Sequence, residues 1–468
     1  MKLIYGVKDK PKFPQLIVFA LQQLLAIMAA TLVVPVIING NTAGMASASQ
    51  MSPAAALFGA GIGTLVYLCF TKFKSPVFLG SSFAFLGSMT AAFAGAASMA
   101  LGYLGLIIGA AFAGLVYVVI ALIVKFAGVK WISKIMPAVV IGPTVAIIGL
   151  SLAGNAVGDL QTAPAGGDTR IAVVCGLVTL AVTMLCSVFG KKTMKLIPFI
   201  IGILAGYAVA LVFTVIGNAA NIDALKVINF KVFEDWLAGG VSVGTFLALP
   251  DFTFLTAFGG FKEISGSYIA TIAVAYIPVA FVVFAEHIAD HKNISSIIEK
   301  DLLEDPGLHR TLLGDGVGSM AGAIFGGCPN TTYGESIGCV AITGNASVYT
   351  ILTAAIGAIL ISFLTPFVVF VNSIPSCVMG GVCMALYGFI AVSGLKMVQK
   401  VDLEDNKNLF VVSVILIAGI GGLSLTFGKV TITSIACALI LGIFTNIVLS
   451  KMKEEKEAKE AKEKENKK

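Results

Sequence analysis

Runs of about 20 apolar residues, separated by short charged stretches, recur from one end of this chain to the other. Wound as a helix, such a run crosses ~30 Å of hydrocarbon. Fourteen of them are read, starting near residues 14, 53, 77, 101, 132, 169, 196, 266, 311, 328, 348, 374, 407 and 430. The composition agrees: 57% of residues are hydrophobic and 12% charged, whereas a soluble domain carries about 25% charge. The fold class expected is therefore an all-α polytopic membrane protein. No hydrophilic stretch is long enough for a separate soluble domain. The first run, Pro14 to Ile38, is too long for a signal-peptide core and is kept as a span.

The net charge of +6 follows a topological pattern and does not point to nucleic acid. With the N-terminus placed in the cytoplasm, only Arg170, Lys226, Lys231, Lys262 and Lys429 of the 31 basic residues fall outside. The positive-inside rule then puts both termini in the cytoplasm of a multi-pass protein of the cell membrane. Residues 451–468 form a charged tail, expected to be solvated or drawn to anionic lipid and at most partly helical.

Fourteen spans divide into seven and seven, and an odd number per half inserts the second half inverted. The fifth span of each half opens alike, with Pro137-Ala-Val-Val-Ile-Gly142 and Pro375-Ser-Cys-Val-Met-Gly380. The third of each half is broken. One carries Pro76, Gly80 and two serines; the other carries Pro329, Gly334 and an acid. Broken backbone inside a membrane is tolerated where protein or a watery cavity satisfies its polar groups, and interruptions at equivalent places in two halves point to a binding site. The competing reading, that one stretch is an outside loop, would scramble the lysine pattern. The chain divides as a cytoplasmic N-terminus (1–13), a first repeat (14–217), an external loop and amphipathic linker (218–265), a second, inverted repeat (266–450) and the tail (451–468).

Acids within spans are costly and mark cavities. Three stand out: Glu286 and Asp290 in the eighth span and Glu335 in the broken tenth. Glu286 and Asp290, four apart, share one helix face, and two neighbouring carboxylates can hold a proton between them, which suits a proton carrier. For Asp290 the competing reading is a place at the membrane interface. His287 is turned about 100° from Glu286 and is expected to pack or hydrogen-bond within the protein, while His291 and His309 are expected in a solvated loop. The eight cysteines read as small packing residues. No catalytic grouping, metal-ligand spacing or nucleotide fingerprint is found, so no enzyme, metal or bound cofactor is expected.

Several strings are shared with a known family. Phe284-Ala-Glu-His287, Lys300-Asp-Leu-Leu-Glu-Asp-Pro-Gly-Leu-His-Arg310, Pro329-Asn-Thr-Thr-Tyr-Gly-Glu335, Gly80-Ser-Ser-Phe-Ala-Phe85 and Met384-Ala-Leu-Tyr-Gly388 resemble the uracil permease branch of the nucleobase–ascorbate transporter (nucleobase:cation symporter-2) family, in the right order along the chain up to the tail. The resemblance implies a core of spans one to four and eight to eleven, a gate of the remaining spans, and short antiparallel strands in spans three and ten. It further implies proton-coupled nucleobase import by a homodimer. The implied substrate contacts are the carboxylates of Glu286 and Glu335 and the backbone amides of Phe83 and Gly334, with Tyr333, Asp290 and Tyr387 in support and Glu286 and Asp290 carrying the proton. The chain departs from the common pattern at Asp290, where many members have His, at Gln22-Gln23, and after Glu335. A xanthine or purine permease and an anion transporter of the same fold are the rival readings. Paired buried acids speak against an anion.

Overall fold

The computed structural model describes residues 3–164, 166–427 and 430–465. Each apolar run carries a helix, or a strand leading into one. In the first half these are α1 (Phe13–Thr42), α2 (Pro53–Phe70), β1 (Leu79–Ser81), α3 (Leu86–Ala94), α4 (Met99–Ala127), α5 (Ala138–Ser151), α6 (Thr169–Phe189) and α7 (Pro198–Ala220). The second half has α8 (Gly266–Ile298), α9 (Leu308–Gly326), β2 (Asn330–Thr332), α10 (Gly334–Thr343), α11 (Val348–Ile361), α12 (Ser376–Val398), α13 (Asn406–Ile420), a hairpin of β3 (Leu425–Phe427) and β4 (Val430–Ile432), and α14 (Ser434–Glu465). The chain is a multi-pass, predominantly helical membrane protein. Among the described residues nine helices are long and apolar enough to cross a bilayer, and Phe83–Ala94, Val348–Ile361 and Asn406–Ile420 are shorter apolar helices.

Local chemistry sets many of the boundaries. Ser52, Ser98 and Ser265 cap α2, α4 and α8 by accepting from the N–H three residues on. Gly327, at φ +72°, ends α9 in the left-handed conformation that favours glycine. Pro329 follows at once, so the chain leaves α9 extended and β2 begins.

The helices pack as two groups. In one, α9 lies against α2 and α4, α8 against α4, and α11 against α1 and α2. In the other, α12 lies against α5 and α6, α7 against α6, and α13 and α14 against each other and α5. Within each group the closest crossings run glycine to backbone. A Cβ on Gly59 would lie 2.4 Å from the Gly322 carbonyl oxygen, and one on Gly149 only 2.2 Å from that of Tyr387. Small residues let the backbones approach, which drives helix association in lipid.

One expectation changes here. The tail, read as at most partly helical, continues α14 as helix to Glu465. The N-terminal segment is strapped to the turn between α10 and α11: Ile4 N–H donates to Gly344 O (2.7 Å), Ala346 N–H to Tyr5 O (2.9 Å) and Val348 N–H to Val7 O (3.0 Å). Hydropathy cannot register such main-chain pairing.

Candidate functional site

The broken third and tenth runs meet. β1 and β2 pair antiparallel, with Leu79 opposite Thr332, Gly80 opposite Thr331 and Ser81 opposite Asn330. Two further bonds extend the ladder, Ser82 N–H to Pro329 O (2.9 Å) and Tyr333 N–H to Phe78 O (3.1 Å). Backbone groups that a helix would have paired internally are thus satisfied across the two halves. Thr64 of α2 accepts from Leu79 N–H (3.0 Å), and Asn330 donates to Gly59 O (3.1 Å), tying the ribbon to α2.

Each strand then turns into a helical segment whose N-terminus has no side-chain cap, Phe83–Ala94 after β1 and α10 after β2. The first N–H groups of a helix lack internal partners and carry the positive end of its dipole. Beside them lies a cavity of about 330 Å³, bordered by Phe83, Glu286, Asp290, Tyr333, Gly334 and Glu335 on one side and by Val145, Phe199, Phe389 and Ile390 on the other. It therefore occupies the seam between the two helix groups. Its wall extends past Ser187 and Asn293 to the exposed Lys195.

The acids reach this cavity by simple geometry. Glu286 and Asp290 are one turn apart on α8 and both border it; the carboxylates of Asp290, Glu335 and Asp315 all lie within electrostatic range of Glu286. Asp290 Oδ2 accepts from the Thr332 hydroxyl (2.8 Å), which fixes it against β2. Ser336, in the first turn of α10, receives Phe78 N–H (3.0 Å) and the Gln23 amide of α1, so three segments share one hydroxyl. Nothing lies within 4 Å of where a Cβ on Gly334 or Gly338 would stand; the α10 backbone is bare toward the void.

Of the residues singled out from sequence, Phe83, Glu286, Asp290, Tyr333, Gly334 and Glu335 border the cavity. The Tyr333 hydroxyl donates to Ser81 O (2.8 Å), so what this side chain offers the cavity is its ring. Tyr387 stands behind: its buried ring meets that of Phe83 edge-on at 5.6 Å.

Other residues were misplaced or missed. His291 is fully buried in α8, not in a solvated loop, with Nε2 2.7 Å from the Tyr67 hydroxyl and Nδ1 donating to His287 O (2.8 Å). His309 is half-buried in the first turn of α9. His287 is held inside the protein as expected, its Nδ1 2.7 Å from Asp315 Oδ2 and its Nε2 3.0 Å from Thr311 Oγ1. Asp315, buried in α9, was overlooked although an acid inside the ninth run was signal enough. It stands behind α8, away from the cavity lining.

With this geometry in hand, relatives become informative. The family model described as "Permease family" (Xan_ur_permease) matches residues 14–428. The chain belongs to this family. Among curated relatives it is similar to the uracil permease of Bacillus caldolyticus, 39% identical with 96% of this chain and 95% of that one covered. It is also similar to the uracil permease of Bacillus subtilis, 38% identical with 97% of each covered. Among solved structures, the transmembrane domain of a cyanobacterial bicarbonate transporter, BicA, matches with a TM-score of 0.58 at 14% identity, over 94% of this chain and 100% of that one. That likeness speaks to the permease's fold alone. The relatives are transporters, not enzymes, and so is this permease.

Proposed function

We propose that this permease imports uracil together with a proton by alternating access. The observation that carries the reading is the convergence of two carboxylates, Glu286 and Glu335, and an uncapped helix start at Gly334 on one cavity between two helix groups. Uracil presents ring N–H donors and carbonyl acceptors on one planar edge. The carboxylates accept from the N–H groups in charge-assisted bonds, about twice as strong as neutral ones. The open amides of Phe83 and Gly334 donate to the carbonyls, and the Phe83 and Tyr333 rings flank the heterocycle. Names of relatives so similar over nearly the whole chain favour the same substrate.

The finer architecture belongs to this reading. Fourteen spans form two inverted sevens. Support comes from matched elements meeting antiparallel: α2 with α9, β1 with β2, and α5 with α12, whose starts are both capped by proline, Pro137 and Pro375. The group holding β1, β2 and α8 is the core and the other the gate; they slide past each other with uracil between them. Both termini lie in the cytoplasm, on the lysine-rich side of the cell membrane, and the cavity, running out to Lys195, opens that way. The working unit is a homodimer in lipid.

Glu286 takes the proton, with Asp290 modulating it. Neutralising a carboxylate before it crosses an apolar barrier removes a cost of several kcal/mol. Uptake of labelled uracil into energised cells tests the scheme. Accumulation should vanish when the proton gradient is collapsed; accumulation that persists would discard the coupling, and competition by xanthine equal to that by uracil would discard the pyrimidine preference. The shared fold raises an anion as a second substrate class, but three carboxylates around one void repel it.

A further inference from the structure

A second void lies on the same seam. It measures about 490 Å³ and is bordered by α1 at Asn39, by the α1–α2 loop at Gln50, by Asp251, by Asn372, and by the apolar Val371 and Met379. Along α1 the first cavity is reached at Ala26 and the second at Val36 and Asn39, a separation of about 15–20 Å at the helical rise. Along α12 the spacing repeats, from Phe389 and Ile390 to Met379. Between the two voids both helices are buried, from Thr31 to Val34 and at Val382 and Cys383.

The polar groups at this void fall into two kinds. Asn39 is committed to structure: its Oδ1 accepts from Met51 N–H (2.8 Å) and the Ser49 hydroxyl (2.7 Å), while its Nδ2 donates to Met51 O (2.9 Å). The side chains of Gln50, Asp251 and Asn372 make no hydrogen bond or ion pair among the described residues. Two exposed amides and an exposed carboxylate around one space, backed by the buried Val371 and by Met379 of the opposite helix group, offer both donors and acceptors at the edge of a ring and an apolar wall for its face.

We propose that this void is an outer capture site, where a single neutral nucleobase is held by Gln50, Asn372 and Asp251 before the seam opens and passes it to the carboxylate site. The proposal rests on the uracil reading and on the orientation above, which puts these loops outside. Gln50 and Asn372 supply paired N–H donors and carbonyl acceptors, Asp251 accepts a ring N–H, and Val371 and Met379 cover the ring. Such a site raises the local concentration of substrate at the closed face and adds nothing to affinity from the cytoplasm.

The test uses labelled uracil in right-side-out and inside-out membrane vesicles carrying the full chain, wild type or Gln50→Leu with Asn372→Leu. Losing two neutral hydrogen bonds should raise KM for entry from the outer face about 5- to 150-fold, with KM from the cytoplasmic face unchanged. An equal rise on both faces would assign the effect to the central site and overturn the proposal, as would no change on either. Wild-type vesicles that take up no uracil would overturn the functional reading itself, a result distinct from the other two.

Discussion

The two strands at the centre of the permease share a backbone plan and almost nothing else. Every residue from Ser75 to Phe85 is buried, and β1 offers the cavity little beyond the Phe83 ring and its amide. On the β2 side Gly334 is exposed and Glu335 half-exposed to the void, Thr332 grips Asp290, and Tyr333 lies across Gly80. A Cβ on Gly80 would stand 2.4 Å from that ring. One arm is buried backing, and the other brings its polar side chains to the cavity. The paired backbones satisfy each other's main-chain groups, while polar side chains accumulate on only one of them.

The largest expected effect lies on the polar arm. Glu335→Ala should abolish measurable uracil binding by calorimetry, since a charge-assisted bond is worth about 1.5–3 kcal/mol and its loss leaves ring N–H groups unpartnered. Phe83→Ala should cost less. Equal losses would break the contrast between the arms.

Next come two glycines that look alike in sequence. Gly80→Ala forces Tyr333 aside and should lower stability by about 1–3 kcal/mol, read as a drop in thermal midpoint. Gly334→Ala meets open space and should leave the midpoint alone while weakening binding, because its methyl enters the cavity.

The smallest effect is expected outside the membrane. Lys74, just before β1, pairs with Asp305 at 2.5 Å. The lysine's hydrogen bond and charge hold the Asp305 carboxyl below its ordinary value. A depressed carboxyl stabilises above its unfolded pKa of ~4, and the benefit is lost as pH falls through the lower folded value. Asp305→Asn should therefore lower the midpoint slightly at neutral pH and low salt. The difference should vanish at acidic pH or high salt, since an exposed pair is screened.

How much of this was readable in the letters depends on the range of the interaction. Apolar runs and prolines act within one segment, so the helices and the two breaks at Pro76 and Pro329 were legible, as were acids stranded among apolar neighbours. Partnerships across the fold were not. His291 looked like a loop residue because Asp290, His291 and Lys292 together make a polar patch, yet Tyr67 of α2 covers it. Asp315 sits in a glycine-rich run, and its partner His287 belongs to the preceding helix. The N-terminal strap uses main-chain atoms, which no side-chain pattern reports.

The β1–β2 ribbon also sets an order of assembly during synthesis. Residue 79 leaves the ribosome long before residue 330, so a nascent first half holds an extended strand with no partner to complete it. Translocon, lipid headgroups or water must shelter those amides until the tenth segment arrives. A chain released before β2 is a poor candidate for survival, and quality-control proteases have an obvious feature to recognise in it.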